Sequence, residues 1–212
     1  MMAEYTNSVL SIDAAMDKAT LRRQLLQQRA AFSAASVVAR DLHIQSALDA
    51  WYQAAASTIG LPQEKPWLGV YWPLKHEVDL HPLYQRWWAQ GHLLALPEAE
   101  TGKPLRFRAW AAGQPMVADA YGLPIPAAAH YVQPAALLIP CVGFTKIGYR
   151  LGYGGGFYDR TLAAYAARCT TVGVADSRCE LAHLPVEQHD LPLQLICTQD
   201  GWHKSDDIAK LD

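Results

Sequence analysis

Short apolar runs alternate with helical segments along most of this chain. The runs that we interpret as buried strands are WLGVYWP, HLLALP, AALLIP, TTVGVA and LQLICT. Segments such as HPLYQRWWAQG and FYDRTLAAYAARC carry apolar residues at helical spacing and lie between several of these runs. Strands that alternate with helices favour a parallel sheet with both faces covered. The sequence therefore predicts an α/β fold with a mainly parallel sheet flanked by helices, in which Pro97 ends HLLALP and LQLICT is the final strand.

Two further regions complete this pattern. From Lys18 to about residue 56, the apolar spacing predicts two helices, with Ser33 as the break and cap between them. Residues 101–134 are rich in Gly, Pro and Ala. We interpret them as an insertion over the sheet, in which LRFRAW forms an edge strand or a hairpin.

The length of the chain suits a single core. It has 212 residues, of which 51% are hydrophobic, and one core can support a domain of this size. We expect one domain over residues 17–200, a flexible N-terminal tail over residues 1–16 and a C-terminal tail over residues 201–212.

The composition favours a protein that binds small molecules. The formal net charge is only -2, so we expect no general attraction to nucleic acid or to an anionic membrane. Glu4 and Asp13 lie where a signal peptide would be basic, and no apolar run reaches the roughly 18 to 20 residues of a membrane helix. The four cysteines form no C-x-x-C pair, which predicts reduced core thiols. We expect a cytoplasmic monomer.

The segment GYRLGYGGGFYDR, residues 148–160, is the strongest functional signal. It follows the strand AALLIP and precedes a helix, so it lies at the carboxyl end of a parallel strand, where open α/β sheets bind ligands. Backbone N–H groups of its glycines, together with the helix N-terminus, can form an anion cradle. Arg150 and Arg160 can add charged groups suited to phosphate. The segment matches neither the Walker loop nor the dinucleotide-binding fingerprint.

The longer segment GFTKIGYRLGYGGGFYDR resembles the signature of the 5-formyltetrahydrofolate cyclo-ligases, also called methenyltetrahydrofolate synthetases. The match runs from Phe144 to Arg160, with Thr145 where the family usually has Asp and Phe157 where it has Tyr. Five other segments resemble family segments in the same order: KATLRRQLLQQRAAFS, YWPLKHEVDL, LRFRAW, YGLPIP and LPVEQHDLPL. Two further departures are Ile125, where a Glu often precedes proline, and Ala135, where an Asp often opens the strand.

The resemblance implies a three-layer fold of the NagB/RpiA/CoA-transferase-like class and an ATP- and Mg²⁺-dependent enzyme. The implied reaction converts 5-formyltetrahydrofolate to 5,10-methenyltetrahydrofolate and releases ADP and phosphate. In this reaction ATP phosphorylates the formyl oxygen, and N10 of the folate then closes the ring. ATP and 5-formyltetrahydrofolate are thus the expected small-molecule partners.

The resemblance also implies roles for individual residues. The ATP-binding residues are Lys18, Arg22, Arg150, Leu151, Gly152, Tyr153, Gly154, Gly155, Gly156, Phe157 and Tyr158. The substrate-binding residues are Glu77, Tyr153, Gly154, Gly155, Gly156 and Phe157. Arg150 and Tyr158 are the implied catalytic residues, and Asp159 and Asp190 are the implied ligands of Mg²⁺.

The residues alone leave simpler interpretations open. Lys18 and Arg22 are four apart and share a helix face, which could be a solvated basic face. Asp159 could serve only as a favourable charge in the first turn of a helix. His189 is as consistent with a surface residue as with a titrating group, and Arg29 favours a structural role.

Two other functions remain open from the sequence. A phosphosugar isomerase or acyl transferase on a similar fold would also use an anion loop, but it would act without ATP. A non-catalytic homologue would bind folate or nucleotide without turnover, and the departures at Thr145, Ile125 and Ala135 are the features that allow it.

Overall fold

The computed structural model describes residues 16–58, 66–165 and 169–205. Four helices lie in these ranges: α1 (Lys18–Ala30), α2 (Ala34–Thr58), α3 (His81–Ala89) and α4 (Phe157–Tyr165). The first six strands are β1 (Trp67–Gly69), β2 (Leu93–Glu98), β3 (Arg106–Trp110), β4 (Met116–Ala118), β5 (Pro124–Pro126) and β6 (Tyr131–Val132). The last six are β7 (Ala136–Pro140), β8 (Gly143–Phe144), β9 (Arg150–Leu151), β10 (Thr170–Val174), β11 (Leu195–Thr198) and β12 (Gly201–Lys204). Except for residue 16, the predicted N-terminal tail lies outside the described residues.

An eight-stranded sheet forms the centre, in the order β12-β11-β10-β7-β1-β2-β3-β6. The five strands from β11 to β2 run parallel, and β12, β3 and β6 pair antiparallel at the two sides. The predicted α/β fold with a mainly parallel sheet is therefore confirmed. Each of the five apolar runs contributes one of the parallel strands.

Helices cover both faces of this sheet and make it a three-layer fold. On one face, α2 and α3 bury side chains such as Leu48 and Trp87 against the strands. On the other face, Leu162 of α4 packs against strand residues such as Ile139. Helix α1 packs at the end of the sheet, where its Leu21 and Leu25 lie in a separate apolar cluster. The fold thus leaves the region between α1 and the strand ends available for a site.

Several smaller predictions are confirmed. The Ser33 hydroxyl accepts a hydrogen bond from the Ser36 N–H at 3.3 Å and caps α2. Helix α3 lies within the segment HPLYQRWWAQG, for which the apolar spacing predicts a helix. All four cysteines are free and buried. No helix in the described ranges is both long and apolar enough to cross a membrane.

The sheet differs from the sequence prediction at three places. Residues 201–204 of the predicted C-terminal tail form β12, because the chain reverses at Gln199–Asp200 and pairs Thr198 with Gly201, so LQLICT is not the final strand. Strand β3 forms an antiparallel hairpin with β2, one of the two forms predicted for LRFRAW, but it is not an edge strand, because β6 pairs with its outer side. Pro97 lies inside β2, beyond residue 95 where the pairing with β1 ends, so its missing N–H costs no bond to that neighbour.

Candidate functional site

A cleft of about 400 Å³ opens at the carboxyl ends of the parallel strands. The glycine loop, residues 152–156, forms one wall, and the first turns of α1 form another. Apolar side chains from the other half of the molecule complete it, including Trp72, Leu105 and Leu123. Every residue to which the family resemblance assigns a site role lines this cleft: Lys18, Arg22, Glu77, Arg150, Leu151, Gly152, Tyr153, Gly154, Gly155, Gly156, Phe157, Tyr158, Asp159 and Asp190.

The glycine loop adopts a conformation that requires glycine. Gly154 and Gly156 have φ angles of 93° and 65°, in the left-handed region that other residues rarely adopt. A Cβ atom at Gly156 would lie 2.7 Å from Nη1 of Arg160. The loop follows the β8–β9 hairpin and leads directly into α4. Its backbone therefore passes close to the cleft at the N-terminus of a helix, where an anion is favoured.

Arg150 is held rigidly beneath this loop. Its side chain is only 5% exposed and forms an ion pair with Asp159. Its Nη1 donates a 2.9 Å hydrogen bond to the Leu191 carbonyl. Two fixed partners orient the guanidinium, so little side-chain entropy remains to be lost when an anion binds.

Lys18 and Arg22 reach the cleft from one face of α1. Arg22 donates from Nε to the Gly152 carbonyl at 2.7 Å and so fixes the glycine loop. Lys18 lies 2.6 Å from Asp190 and 3.1 Å from Glu187. Burial works to lower the pKa of Lys18, but these carboxylates raise it above its usual value. Lys18 is therefore protonated, and both basic side chains line the cleft rather than forming a solvated basic face.

Glu77 is the buried carboxylate of the site. It is only 6% exposed, and its Oε2 accepts a 2.7 Å hydrogen bond from the Leu74 N–H. Burial raises the pKa of Glu77, although the Leu74 N–H, the Arg29 guanidinium and the Tyr153 hydroxyl each oppose the rise. Burial likewise raises the pKa values of Tyr153 and Tyr158. Both phenols therefore stay neutral at physiological pH and can donate hydrogen bonds into the cleft.

The two aspartates proposed as metal ligands both line the cleft, but each is paired with a cation. Asp159 pairs with Arg150, and Asp190 pairs with Lys18. Within residues 16–58, 66–165 and 169–205, no group of three or more His, Cys, Asp or Glu side chains could hold a metal ion. The arrangement is not a protein cage, but it fits Mg²⁺, which takes one or two carboxylates and completes its shell with water and phosphate oxygens.

The structure corrects one expectation. Arg160 does not line the cleft; it donates hydrogen bonds to the Gly155 and Lys103 carbonyls instead. It fastens the glycine loop from outside, because the first turn of α4 directs its side chain away from the cleft.

The sequence analysis missed the hairpin that covers the cleft. The tip of the β4–β5 hairpin contributes Asp119 and Tyr121 to the lining. The Tyr121 ring lies 5.1 Å from the Phe157 ring, edge to face, and bridges the hairpin to the glycine loop. The only sequence signal was the DAYG turn, which predicts a tight bend but not what lies below it.

Phe157 lines the cleft, whereas the other three departures from the family pattern, Thr145, Ile125 and Ala135, lie outside its lining. The Thr145 hydroxyl accepts a hydrogen bond from the Tyr149 N–H in the β8–β9 turn. Ile125 is buried in β5, and the Ala135 N–H bonds to the Trp67 carbonyl at the amino end of β7. These substitutions therefore leave the cleft intact.

The burial of Glu77 leads to a stability prediction. Because folding raises the pKa of Glu77 above the value of 4.5 that an unperturbed Glu has, the folded state binds this proton more tightly than the unfolded state. Its favourable contribution is complete below about pH 4.5 and is lost as the pH rises through the folded pKa. Glu77→Gln is therefore expected to gain stability relative to the parent between acidic and neutral pH, by about 1.4 kcal/mol per unit of pKa shift. Urea unfolding of both proteins across this range measures the difference; parallel curves would contradict the expectation.

Comparison with known proteins agrees with this geometry. The model of the 5-formyltetrahydrofolate cyclo-ligase family matches residues 14–199. The 5-formyltetrahydrofolate cyclo-ligase of Haemophilus influenzae is 33% identical over 134 residues, which cover 59% of this chain and 72% of that protein. That of Mycoplasma pneumoniae is 29% identical over 167 residues, 76% of this chain and 87% of that protein.

Solved structures show the same fold. The 5,10-methenyltetrahydrofolate synthetase of Aquifex aeolicus superposes with a TM-score of 0.72 at 26% identity, covering 93% of this chain and 97% of that one. The Mycoplasma pneumoniae enzyme of the same name gives a TM-score of 0.66 at 26% identity, covering 87% of this chain and 99% of that one. With its signature loop in the cleft and the family match spanning nearly all of the described fold, the chain belongs to the 5-formyltetrahydrofolate cyclo-ligase family.

Proposed function

We propose that the protein converts 5-formyltetrahydrofolate to 5,10-methenyltetrahydrofolate, with MgATP as co-substrate and ADP and phosphate as the other products. The observation that carries this proposal is the cleft itself. It brings a glycine loop at a helix N-terminus, the cations Lys18, Arg22 and Arg150, and a buried carboxylate, Glu77, into one site with apolar walls. The polar side suits a triphosphate and the apolar side suits a pterin ring.

The reaction requires a better leaving group than a formamide oxygen. The formyl oxygen attacks the γ-phosphorus of ATP, the bond between that phosphorus and the ADP oxygen breaks, and an imino phosphate forms on N5. N10 then attacks the formyl carbon and loses its proton, and the carbon–oxygen bond breaks to release phosphate. The released phosphate therefore keeps the formyl oxygen.

Phosphoryl transfer of this kind requires the protein to position the reactants and to neutralise the negative charge of the phosphates. The glycine-loop N–H groups and Arg150 would bind the γ-phosphoryl group, while Lys18 and Arg22 would bind the remaining phosphates. Tyr153 and Tyr158, as neutral phenols, would donate hydrogen bonds near the formyl group. Glu77 would accept hydrogen bonds from the folate.

Mg²⁺ would be held by Asp159 and Asp190 together with phosphate oxygens, and it would neutralise the negative charge of the triphosphate. Cations of the protein now pair with both aspartates. Lys18 would therefore exchange Asp190 for phosphate when MgATP enters, while Arg150 would keep its contacts to Asp159 and the Leu191 carbonyl.

A single assay tests the proposal. Purified protein is mixed with 5-formyltetrahydrofolate, ATP and Mg²⁺, and the formation of methenyltetrahydrofolate is followed by absorbance. Each component is then omitted in turn. We expect product only when all components are present. Binding of both ligands without any turnover would favour the non-catalytic homologue, and turnover without ATP would favour another reaction class.

Lys18 offers a separate test of the phosphate assignment. Lys18→Met is expected to raise the KM for ATP roughly 10-fold or more, because it removes a charge-assisted hydrogen bond, while the KM for 5-formyltetrahydrofolate stays within about threefold. Arg23→Gln is the matched control, since Arg23 lies on the same helix but is exposed to solvent. Steady-state kinetics with each substrate varied in turn gives both values. An equal rise for the two substrates would remove Lys18 from the phosphate site.

A further inference from the structure

Arg29 is a buried cation in the last turn of α1, and it does not line the cleft. The residue is 4% exposed. Its Nε and Nη2 both donate to the carbonyl oxygen of His76, at 3.0 and 2.6 Å. Its Nη1 is buried and has no hydrogen-bond partner in the parts of the chain that the structure describes. Burying a guanidinium with one nitrogen unpaired is unfavourable. We therefore expect Arg29 to do more than anchor the end of the helix.

The carbonyl that Arg29 holds belongs to an unusual residue. His76 has a φ angle of 68°, the only positive value among the described non-glycine residues. A left-handed conformation is unfavourable for such a residue and persists only where surrounding contacts impose it. The two hydrogen bonds from Arg29 are a tertiary contact of this kind, because they bind the carbonyl oxygen of His76 itself.

The strained turn is the element that orients Glu77. The Glu77 N–H bonds to the Leu74 carbonyl at 3.0 Å, and its carboxylate accepts from the Leu74 N–H at 2.7 Å. The direction of the carboxylate thus depends on the shape of residues 74–77. The charge of the Arg29 guanidinium also acts on this site, since it works to lower the pKa values of Glu77 and Tyr153.

We propose that Arg29 is a positioning residue for the folate side of the cleft: it fixes the 74–77 turn through the His76 carbonyl and presents its unpaired nitrogen to the Glu77–Tyr153 pair. This inference rests on the proposed function, because it takes Glu77 as the folate contact. We expect no contact between Arg29 and ATP, because Lys18 and Arg22 lie on the phosphate side of the cleft, about two or more turns earlier on α1.

Arg29 also affects the ionisation of Glu77. The titratable groups that face this carboxylate from the surrounding elements are Arg29, Tyr71, Tyr84, Cys141, Tyr153 and Tyr158. Of these, the one cation is Arg29, and it lowers the pKa of Glu77. Removing its charge therefore raises that pKa further, and the ionised carboxylate is lost at a higher pH.

The test compares Arg29→Gln, Arg29→Lys and the exposed control Arg23→Gln in the full chain. For Arg29→Gln we expect the KM for 5-formyltetrahydrofolate to rise roughly 10-fold or more, with the KM for ATP within about threefold of the parent. The acid limb of kcat/KM for the folate should also move to higher pH. Arg29→Lys keeps the positive charge, so its acid limb should lie at the same pH as in the parent. It loses the paired hydrogen bonds to the His76 carbonyl, so its KM for folate should lie between the values of the parent and of Arg29→Gln.

The outcomes separate this inference from its alternatives. Equal changes in both KM values, or an acid limb that stays in place in Arg29→Gln, would overturn it and leave Arg29 a structural residue. If Arg29→Gln does not fold, Arg29→Lys decides through its KM values: a rise for folate alone supports positioning, and no rise or an equal rise contradicts it. If the parent itself forms no product, the proposed function fails. Calorimetric binding of 5-formyltetrahydrofolate to the same variants then tests the role of Arg29 separately.

Discussion

Replacement of Arg150 by alanine should lower kcat/KM for ATP about 1000-fold, because a positioned arginine at a transferring phosphoryl group contributes on this scale. Arg150 has the properties that such a group needs. It is nearly fully buried, and Asp159 and the Leu191 carbonyl fix its orientation. The variant also loses these contacts, which should cost roughly 1–3 kcal/mol of unfolding free energy.

The matched control for Arg150 is Arg160→Ala. Arg160 lies in the same segment but does not line the cleft, and its hydrogen bonds to the Gly155 and Lys103 carbonyls hold the glycine loop from outside. We expect its replacement to lower kcat/KM for ATP less than about 10-fold. Thermal unfolding of both variants shows whether they are folded under assay conditions. Turnover by folded Arg150→Ala that equals the parent would remove Arg150 from the site.

Gly154→Ala is expected to lower kcat/KM for ATP by about 100-fold, corresponding to roughly 2.7 kcal/mol. Gly154 has a φ angle of 93°, and a Cβ atom there would lie 3.2 Å from the Arg22 Cζ. The methyl group therefore both strains the loop and displaces a guanidinium that holds it. The N–H groups of the loop would no longer point where a phosphate can accept from them.

Gly113→Ala is the control that separates the effect of backbone strain from an effect on the site. Gly113 has a φ angle of 79°, and a Cβ atom there would meet nothing within 4 Å. Gly113 does not line the cleft. Both variants should lose about 1–2 kcal/mol of unfolding free energy through the left-handed conformation, and only Gly154→Ala should lose activity. Equal kinetic losses in the two variants would show that general destabilisation, not the loop, is responsible.

The sequence was most informative where local pattern and tertiary structure agree. The five apolar runs became the parallel strands because a strand buried on both faces has to be apolar along its whole length. The glycine loop was equally clear, because few functions require so many glycines between a strand and a helix. The fold class and the position of the glycine loop in the cleft were therefore predictable.

Other features depended on long-range contacts that the sequence does not display. Nothing in α1 indicates that Arg29 reaches the His76 carbonyl, since the partners are 47 positions apart. The direction of Arg160 depends on where α4 places its first turn. Strand β12 was missed for a local reason: the Asp200–Gly201 pair that follows LQLICT is a hairpin signal, but the segment after it is short and was assigned to a tail.

The most direct test of the account follows the formyl oxygen. 5-Formyltetrahydrofolate labelled with ¹⁸O at the formyl group is converted with unlabelled MgATP, and the released phosphate is analysed by ³¹P NMR or mass spectrometry. In the proposed reaction the formyl oxygen attacks the γ-phosphorus, so each released phosphate should carry one ¹⁸O atom. Phosphate without label, formed at the same rate as methenyltetrahydrofolate, would contradict phosphoryl transfer to the formyl oxygen in this cleft.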